Sequence, residues 1–196
     1  MRTFVIRARS GTTRWDRVKT SVGGKGHMEV IAHCVMNAFF ISNGFREDVV
    51  VNIILDSAED FPRTIQISNG ISFEGFHEDA ILSVIENVLK ESEGLQKNES
   101  RMIAPGLHIH GYGFEKCVGK LLETNPVYLL DKKGEDIRQT EFEPDSVFVL
   151  SDHLAMPKNN VKSFTRRGMK SISLGKKMLF ASQCVVLIQD ELDRRE

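Results

Sequence analysis

Residues 171–188, SISLGKKMLFASQCVVLI, pose the question that decides the fold. A short apolar stretch (Ser171–Leu174) runs into a Gly-Lys-Lys turn. An almost continuous apolar segment, Met178–Ile188, follows, interrupted by Ser182 and Gln183. The same rhythm occurs twice more upstream. PVYLL (126–130) runs into DKKGED, and SVFVL (146–150) runs into SDHLAMP. Short apolar strands that each end in a polar or glycine-containing loop, with longer segments between them, are the pattern of parallel strands in an α/β sheet. Ligands of such sheets bind beyond the carboxyl ends of the strands. Here those ends are Leu130, Leu150–His153 and Leu174–Gly175.

The N-terminal half completes the pattern. Thr3–Ala8 alternates like a strand, and Asp48–Leu55 (DVVVNIIL) reads as an interior strand rich in β-branched residues. Arg63–Ser68 alternates as a further strand. Met28–Ser42 carries apolar residues at helical spacing. In His77–Glu91, Ile81, Leu82, Ile85, Val88 and Leu89 fall on one helical face. Ser10–Gly26 is polar, basic and glycine-containing, a long loop of the kind that carries function.

Composition narrows the class. The 196 residues are 41% hydrophobic and 27% charged, which suits one soluble domain spanning residues 1–196. No apolar run is long enough for a bilayer, and MRTFVIRARSG lacks the features of a signal peptide, so a cytoplasmic protein is expected. Cys34, Cys117 and Cys184 are too few and too far apart for a disulfide framework or a zinc site; the first two read as core residues. His108 and His110 share a strand face, but no Cys or acid stands near them at ligand spacing, and no metal is assigned. Neither a P-loop nor a dinucleotide fingerprint is present.

The net charge is −1, yet the cations are clustered. Residues 1–27 hold seven Lys/Arg against one acid, and residues 154–189 hold seven with none. Clustered cations on a nearly neutral chain suit a polyanion; the alternative is two solvated faces balanced by acids elsewhere. Arg46-Glu47-Asp48, where a helix hands over to a buried strand, either caps a loop or places a carboxylate at a sheet edge. Asp152-His153 stands at a strand end, where sites gather.

VFVLSDH, then SISLGKKMLFASQCVVLIQDELDRR, together with HCVMNAFFISNGFREDVVV and NPVYLLDKKGED, resembles the TrmY family of tRNA pseudouridine N1-methyltransferases in the SPOUT superfamily. The likeness is collinear and covers most of the chain. It implies a parallel α/β sheet flanked by helices, with a C-terminal deep trefoil knot in roughly residues 125–196. It implies S-adenosyl-L-methionine bound in the knot loops by Leu130, Leu150, Ser151, Ser173, Leu174, Gly175, Leu179 and Cys184. It implies a homodimer acting on tRNA or rRNA, with no role for DNA or a membrane. Arg46 and Asp48 match the family's Arg-x-Asp, which makes Asp48 the expected base or orienting group and Arg46 its companion on the substrate. The basic blocks become the RNA surface through Arg7, Arg9, Arg14, Arg17, Arg166 and Arg167. The turn SLGKK lacks the proline of many relatives, and Asn37 stands where an archaeal member has Asp. Those departures admit an alternative, an RNA-binding assembly factor that kept the fold without catalysis.

Overall fold

A computed structural model of the chain describes every residue except Ala58, His153 and Glu196. The elements in order are β1 (Arg2–Ala8), α1 (Met28–Phe39), β2 (Phe40–Ile41), β3 (Gly44–Phe45), β4 (Val49–Leu55), β5 (Arg63–Ile67) and α2 (Glu78–Glu91). Then come β6 (Ser100–Ala104), β7 (Leu107–His110), α3 (Phe114–Leu121), β8 (Val127–Asp136), β9 (Val147–Ser151), α4 (Lys158–Thr165), β10 (Lys170–Ser173) and α5 (Ala181–Asp193). Eight strands form one sheet in the order β10-β8-β9-β1-β4-β5-β7-β6. Contacts from β10 to β4 are all parallel, and those from β4 to β6 are all antiparallel. The expected parallel sheet therefore covers five strands, and an antiparallel extension adds three. The ligand-loop strands β8, β9 and β10 are neighbours on the parallel side, so their carboxyl ends converge.

Apolar alternation places the core on both faces. Phe4 and Ile6 of β1 join Ile53 and Leu55 of β4 in a cluster with α1, α2 and Val185 and Ile188 of α5. Val5 and Ile54 turn the other way, toward Phe114 and Val118 of α3 and Phe164 of α4. The five residues expected on one face of α2 are all buried, and the His77 Nδ1 accepts the Ala80 N–H to cap its start.

Several boundaries differ from the sequence reading. The first helix stops at Phe39, because the chain turns into the β2–β3 hairpin, where Phe40 packs edge-on to Phe45. DKKGED belongs to β8, but not as a regular ladder: Ser171 pairs with Leu129 while the next residue, Ile172, pairs with Glu135. Residues 130–134 are thus looped out of the register. Gly134 is where they return, and a Cβ there would lie 2.5 Å from the Ile172 backbone. The loop 10–26 contains two short 3₁₀ turns, Trp15–Arg17 and Lys19–Ser21. Only part of the apolar segment Met178–Ile188 is helix, which begins at Ala181; Met178 and Phe180 point outward and are 78% and 67% exposed. Among the described residues, no helix is long and apolar enough to cross a membrane.

Candidate functional site

The carboxyl ends of β8, β9 and β10 gather apolar side chains beside a glycine turn. Leu130, Leu150, Leu174 and Cys184 all belong to or pack on the same apolar cluster. Leu150 is buried, whereas Leu130, Leu174, Leu179 and Cys184 keep part of their surface accessible. The turn after β10 is locally built. Gly175 has φ +112°, a conformation that side chains with a Cβ rarely adopt, and its N–H donates to the Ser173 Oγ at 3.1 Å. Ser151 ends β9 half-buried. His153, expected beside it, lies outside the described residues.

The polar triplet within the terminal apolar run finds partners here. Asn37 of α1 donates to the Ser182 carbonyl at 3.1 Å, and the Gln183 side chain accepts the Phe180 N–H at 3.0 Å, closing the first turn of α5. Burial pushes the Cys184 thiol up to about 11 and raises Cys34 further. Both stay protonated at neutral pH, so neither presents a thiolate nucleophile.

Beside these ends, beyond β1 and β4, lies a cleft of about 590 Å³ lined by Arg9, Arg17, Lys25, the hydroxyl residues of the 10–26 loop, Ser57 and Glu59. Arg9 joins the two regions, since its N–H donates to Asp152 Oδ2 at 3.1 Å and its guanidinium to the Ala155 carbonyl at 3.3 Å. The loop after β1 is thereby tied to the loop after β9. Glu59 accepts from the Thr12 hydroxyl at 2.6 Å and pairs with Arg17, and Thr12 followed by Arg17 holds its carboxyl below the usual range. Glu59 and Thr12 were not singled out from sequence. Lys25 was counted only as charge, although its setting between glycines in GGKGH marks a backbone able to fold around a ligand.

The expected RNA-contacting arginines divide. Arg7 is a correction: it is 6% exposed, donates to Asp56 at 2.7 Å and 3.0 Å, and lies 4.3 Å from the Phe114 ring centre. It is a core ion pair and presents nothing to RNA. Arg9, Arg14, Arg17, Arg166 and Arg167 are exposed. Arg14 pairs with Asp16, and Arg167 donates to the Gly119 carbonyl at 3.0 Å.

Arg46 and Asp48 are likewise not brought to the cofactor loops of their own chain. They precede β4, so its seven residues, about 20 Å at the usual rise, separate them from the upper ends of the strands. Arg46 pairs bidentately with Asp193 at the end of α5. Asp48 faces Arg2 at 3.3 Å, and Arg2 also donates to Asp193 at 2.6 Å and to Gln189 at 2.7 Å. This network fastens α5 to the lower edge of the sheet.

A family model described as "Putative SAM-dependent RNA methyltransferase" matches residues 1–196. The chain belongs to that family. It is 44% identical over 198 residues to a Vibrio cholerae protein named "Putative pseudouridine methyltransferase", covering 100% of this chain and 98% of the relative. A Photobacterium profundum protein of the same name is 46% identical over 195 residues, with 98% of both covered. Among solved structures, Archaeoglobus fulgidus Nep1 bound to S-adenosylhomocysteine superposes with a TM-score of 0.65 at 12% identity, covering 98% of this chain and 97% of the other. The Streptomyces viridochromogenes SpoU methyltransferase AviRb, in complex with AdoMet, gives 0.50 at 9% identity. These likenesses establish the fold, an α/β sheet flanked by helices. The residues at the strand ends suit the family's cofactor chemically: Leu130, Leu150, Leu174 and Cys184 are apolar surface of the kind adenine and a methionine chain need.

Proposed function

We propose that this methyltransferase transfers a methyl group to N1 of pseudouridine in tRNA or rRNA, as the names of its relatives suggest. The observation that carries this reading is the adjacency of two unlike regions, apolar side chains gathered at the β8–β10 ends and a basic, hydroxyl-lined cleft at β1–β4, joined through Arg9. Leu130, Leu150, Leu174, Leu179 and Cys184 hold the cofactor's apolar parts; the main chain at Ser151, Ser173 and Gly175 holds its polar edge. S-adenosylmethionine, when bound, supplies a methyl group already activated by its sulfonium. The chain's task is to align the nucleophilic nitrogen with that carbon and to exclude competing orientations.

The target nucleotide enters the cleft with its phosphates toward Arg9 and Lys25. The Glu59 carboxylate accepts the N–H of the uracil-type ring and orients it. A carboxyl held below its usual range is a weak proton acceptor, so Glu59 positions the base and the departing proton passes to water. On this reading Arg46 and Asp48 hold the scaffold. Arg14, Arg166 and Arg167 extend the RNA surface.

Two further parts belong to the same proposal. The C-terminal region forms a trefoil knot; in support, β10 lies at the sheet edge, the end of α5 meets Arg2 of β1 through Asp193, and Arg195 donates to the carbonyls of Ile137 and Thr140 at 2.8 Å and 2.6 Å. The exposed Met178, Phe180, Val186 and Leu187 form the seam of a cytoplasmic homodimer.

Titration with S-adenosylmethionine, followed by methyl incorporation into pseudouridine-containing RNA, tests the function. Saturable cofactor binding with N1-methylpseudouridine as product is expected. Cofactor binding without incorporation into tRNA or rRNA would favour an assembly factor, and no cofactor binding at millimolar concentration would end the reading.

A further inference from the structure

The two helical layers that cover the sheet differ in charge. On the layer of α1, α2 and α5, α2 carries four acids against Lys90 alone, and α5 carries three acids against no cation. On the layer of α3 and α4 the balance is reversed. Residues 158–167, α4 and its closing turn, contain no acid and hold Lys158, Lys162, Arg166 and Arg167, all exposed. Lys158, Lys162 and Arg166 are four residues apart, so they follow one another along the helix at a rise of about 6 Å. Among the described residues, none of these three is paired with a carboxylate. The row is fixed to α3. Phe164 packs edge-on to Phe114 at 5.7 Å, Asn160 donates to Glu115 Oε1 at 2.7 Å, and Arg167 donates to the Gly119 carbonyl at 3.0 Å. Glu115 is the one acid of α3, and it is engaged by Asn160 and Arg7. None of the exposed large apolar side chains among the described residues lies on α3 or α4.

We infer that α4 is a rail for the phosphate backbone of the base-paired RNA arm beside the target nucleotide. Evenly spaced cations with no carboxylate on them and no exposed ring among them suit phosphates, not bases. Contact with the backbone without reading of base edges is how double-stranded RNA is held. The lack of exposed apolar side chains disfavours a protein partner, whose interface would need an apolar core. Position ties the row to the proposed target cleft. Arg9, which lines that cleft, donates to the Ala155 carbonyl three residues before the row begins. Arg7 donates to Asn160 Oδ1 at 3.3 Å, which holds the first turn of α4 at the carboxyl ends of the strands. The strands on either side of α4 in sequence, β9 and β10, both run parallel to β8, so α4 returns toward their amino ends. The row therefore starts beside the cleft and leads away from it, as a stem does from a loop. The acids of α2 and α5 deny RNA the same path on the opposite layer.

The inference rests on the RNA-methyltransferase reading, and the experiment separates the two. Fluorescence anisotropy is measured over a salt series with a labelled RNA hairpin and with labelled oligouridine, alongside calorimetry with S-adenosylmethionine. The triple variant Lys158→Ala/Lys162→Ala/Arg166→Ala keeps good helix formers in place and should melt close to wild type. It is expected to weaken hairpin binding about tenfold at about 0.15 M salt and to lower the slope of log affinity against log salt by about two to three. Its oligouridine binding should fall less than about twofold, and its cofactor affinity should not change. The charge-conserving variant Lys158→Arg/Lys162→Arg/Arg166→Lys is expected to bind the hairpin as the wild type does. If the triple variant also does so while the wild type binds cofactor, the rail is overturned and the methyltransferase reading stands. An acidic protein as the partner of α4 would give that result. Equal losses for hairpin and oligouridine overturn the assignment to a base-paired arm. Failure of the wild type to bind cofactor overturns the reading itself, and failure to bind the hairpin overturns the rail.

Discussion

At the lower end of the parallel sheet, Arg2 and Arg46 converge on Asp193, with Asp48 beside them, and the cations are paired by carboxylates. At the upper end, Arg9 is exposed and spends its polar groups on loop main chain and Asp152, Lys25 is exposed at the cleft, and hydroxyls surround them. Both ends are rich in arginine, yet only one leaves cationic surface for a ligand. Charge density in a sequence therefore does not distinguish a fastening from a binding site. What distinguishes them is whether the fold brings a carboxylate to each cation. Arg7 makes the same point at the upper end, where Asp56 takes it out of the RNA surface.

The largest effect expected is loss of the fastening altogether. Removing residues 178–196 takes Val185 and Ile188 from the core and leaves Arg2 without two of its partners. Each buried aliphatic side chain contributes about 1.5–3 kcal/mol, and with the weakened Arg2 network and the uncovered face of α1 the loss becomes comparable to the roughly 5–15 kcal/mol a domain has in reserve. Circular dichroism and calorimetry should show an unfolded chain that binds no S-adenosylmethionine. A truncated protein that melts cooperatively and binds cofactor would break the assignment of α5 to the site.

Single substitutions then test whether the lower end is scaffold. Asp193→Ala strands the buried Arg2 guanidinium and should cost about 2 kcal/mol in denaturant unfolding, less than a fully buried pair because Asp193 is partly exposed and Asp48 remains. Asp48→Asn affects a half-exposed carboxylate and should cost less than about 1 kcal/mol. Both variants should methylate RNA with kcat within about twofold of wild type once folded, as expected of residues outside the reacting centre. A collapse of kcat in Asp48→Asn with unchanged stability would restore the catalytic role that Arg-x-Asp implies.

At the upper end the matching test is Gly175→Val. A β-branched residue at φ +112° carries about 1–3 kcal/mol of strain. The turn is exposed, so the strain should appear less in melting than in cofactor affinity, as a Kd raised about tenfold. A Kd equal to wild type would detach this turn from the cofactor site. Lys25→Ala should act more weakly, lowering RNA affinity a few-fold and the salt slope by about one, with cofactor binding unchanged.

How much of this was legible follows from the range of the forces involved. Strands β1, β4, β5, β8, β9 and β10 and helix α2 were readable because apolar periodicity is local: VVVNIIL and AILSVIENVL state their buried faces directly, whereas the two-residue β2 and β3 and the partly exposed β6 carry no such period. That β8, β9 and β10 are parallel followed from their shared strand-to-loop rhythm; their order in the sheet did not. The pairing of Arg7 with Asp56, of Arg46 with Asp193 and of Glu59 with Thr12 was not legible, because the partners lie 47 to 147 residues apart or on loops with no period. The displaced segment 130–134 was hidden for a different reason. Its glycine marks a close approach to β10, and a lone glycine in a polar run reads equally well as a loop.

The smallest expected effect separates the two ends by pH, through His110, which pairs with Thr64 opposite Ile54 near the upper end of β4. Burial, followed by the charges of His108 and Lys120, lowers the His110 pKa from about 6.5 to about 4. Its folded-state pKa lies below the unfolded value, so the unfolded chain binds the extra proton first. Its stability contribution is complete above about pH 6.5 and is lost as pH falls toward about 4. Asp193, whose carboxyl is held below the usual range chiefly by Arg46, contributes stability that is lost only below about pH 4. The upper end should therefore weaken first on acidification. Melting temperatures at pH 7 and pH 4.5 should differ less in His110→Gln than in wild type, whereas Asp193→Asn should lower both values by a similar amount. Equal pH slopes in wild type and His110→Gln would mean that His110 is not held neutral at the upper end.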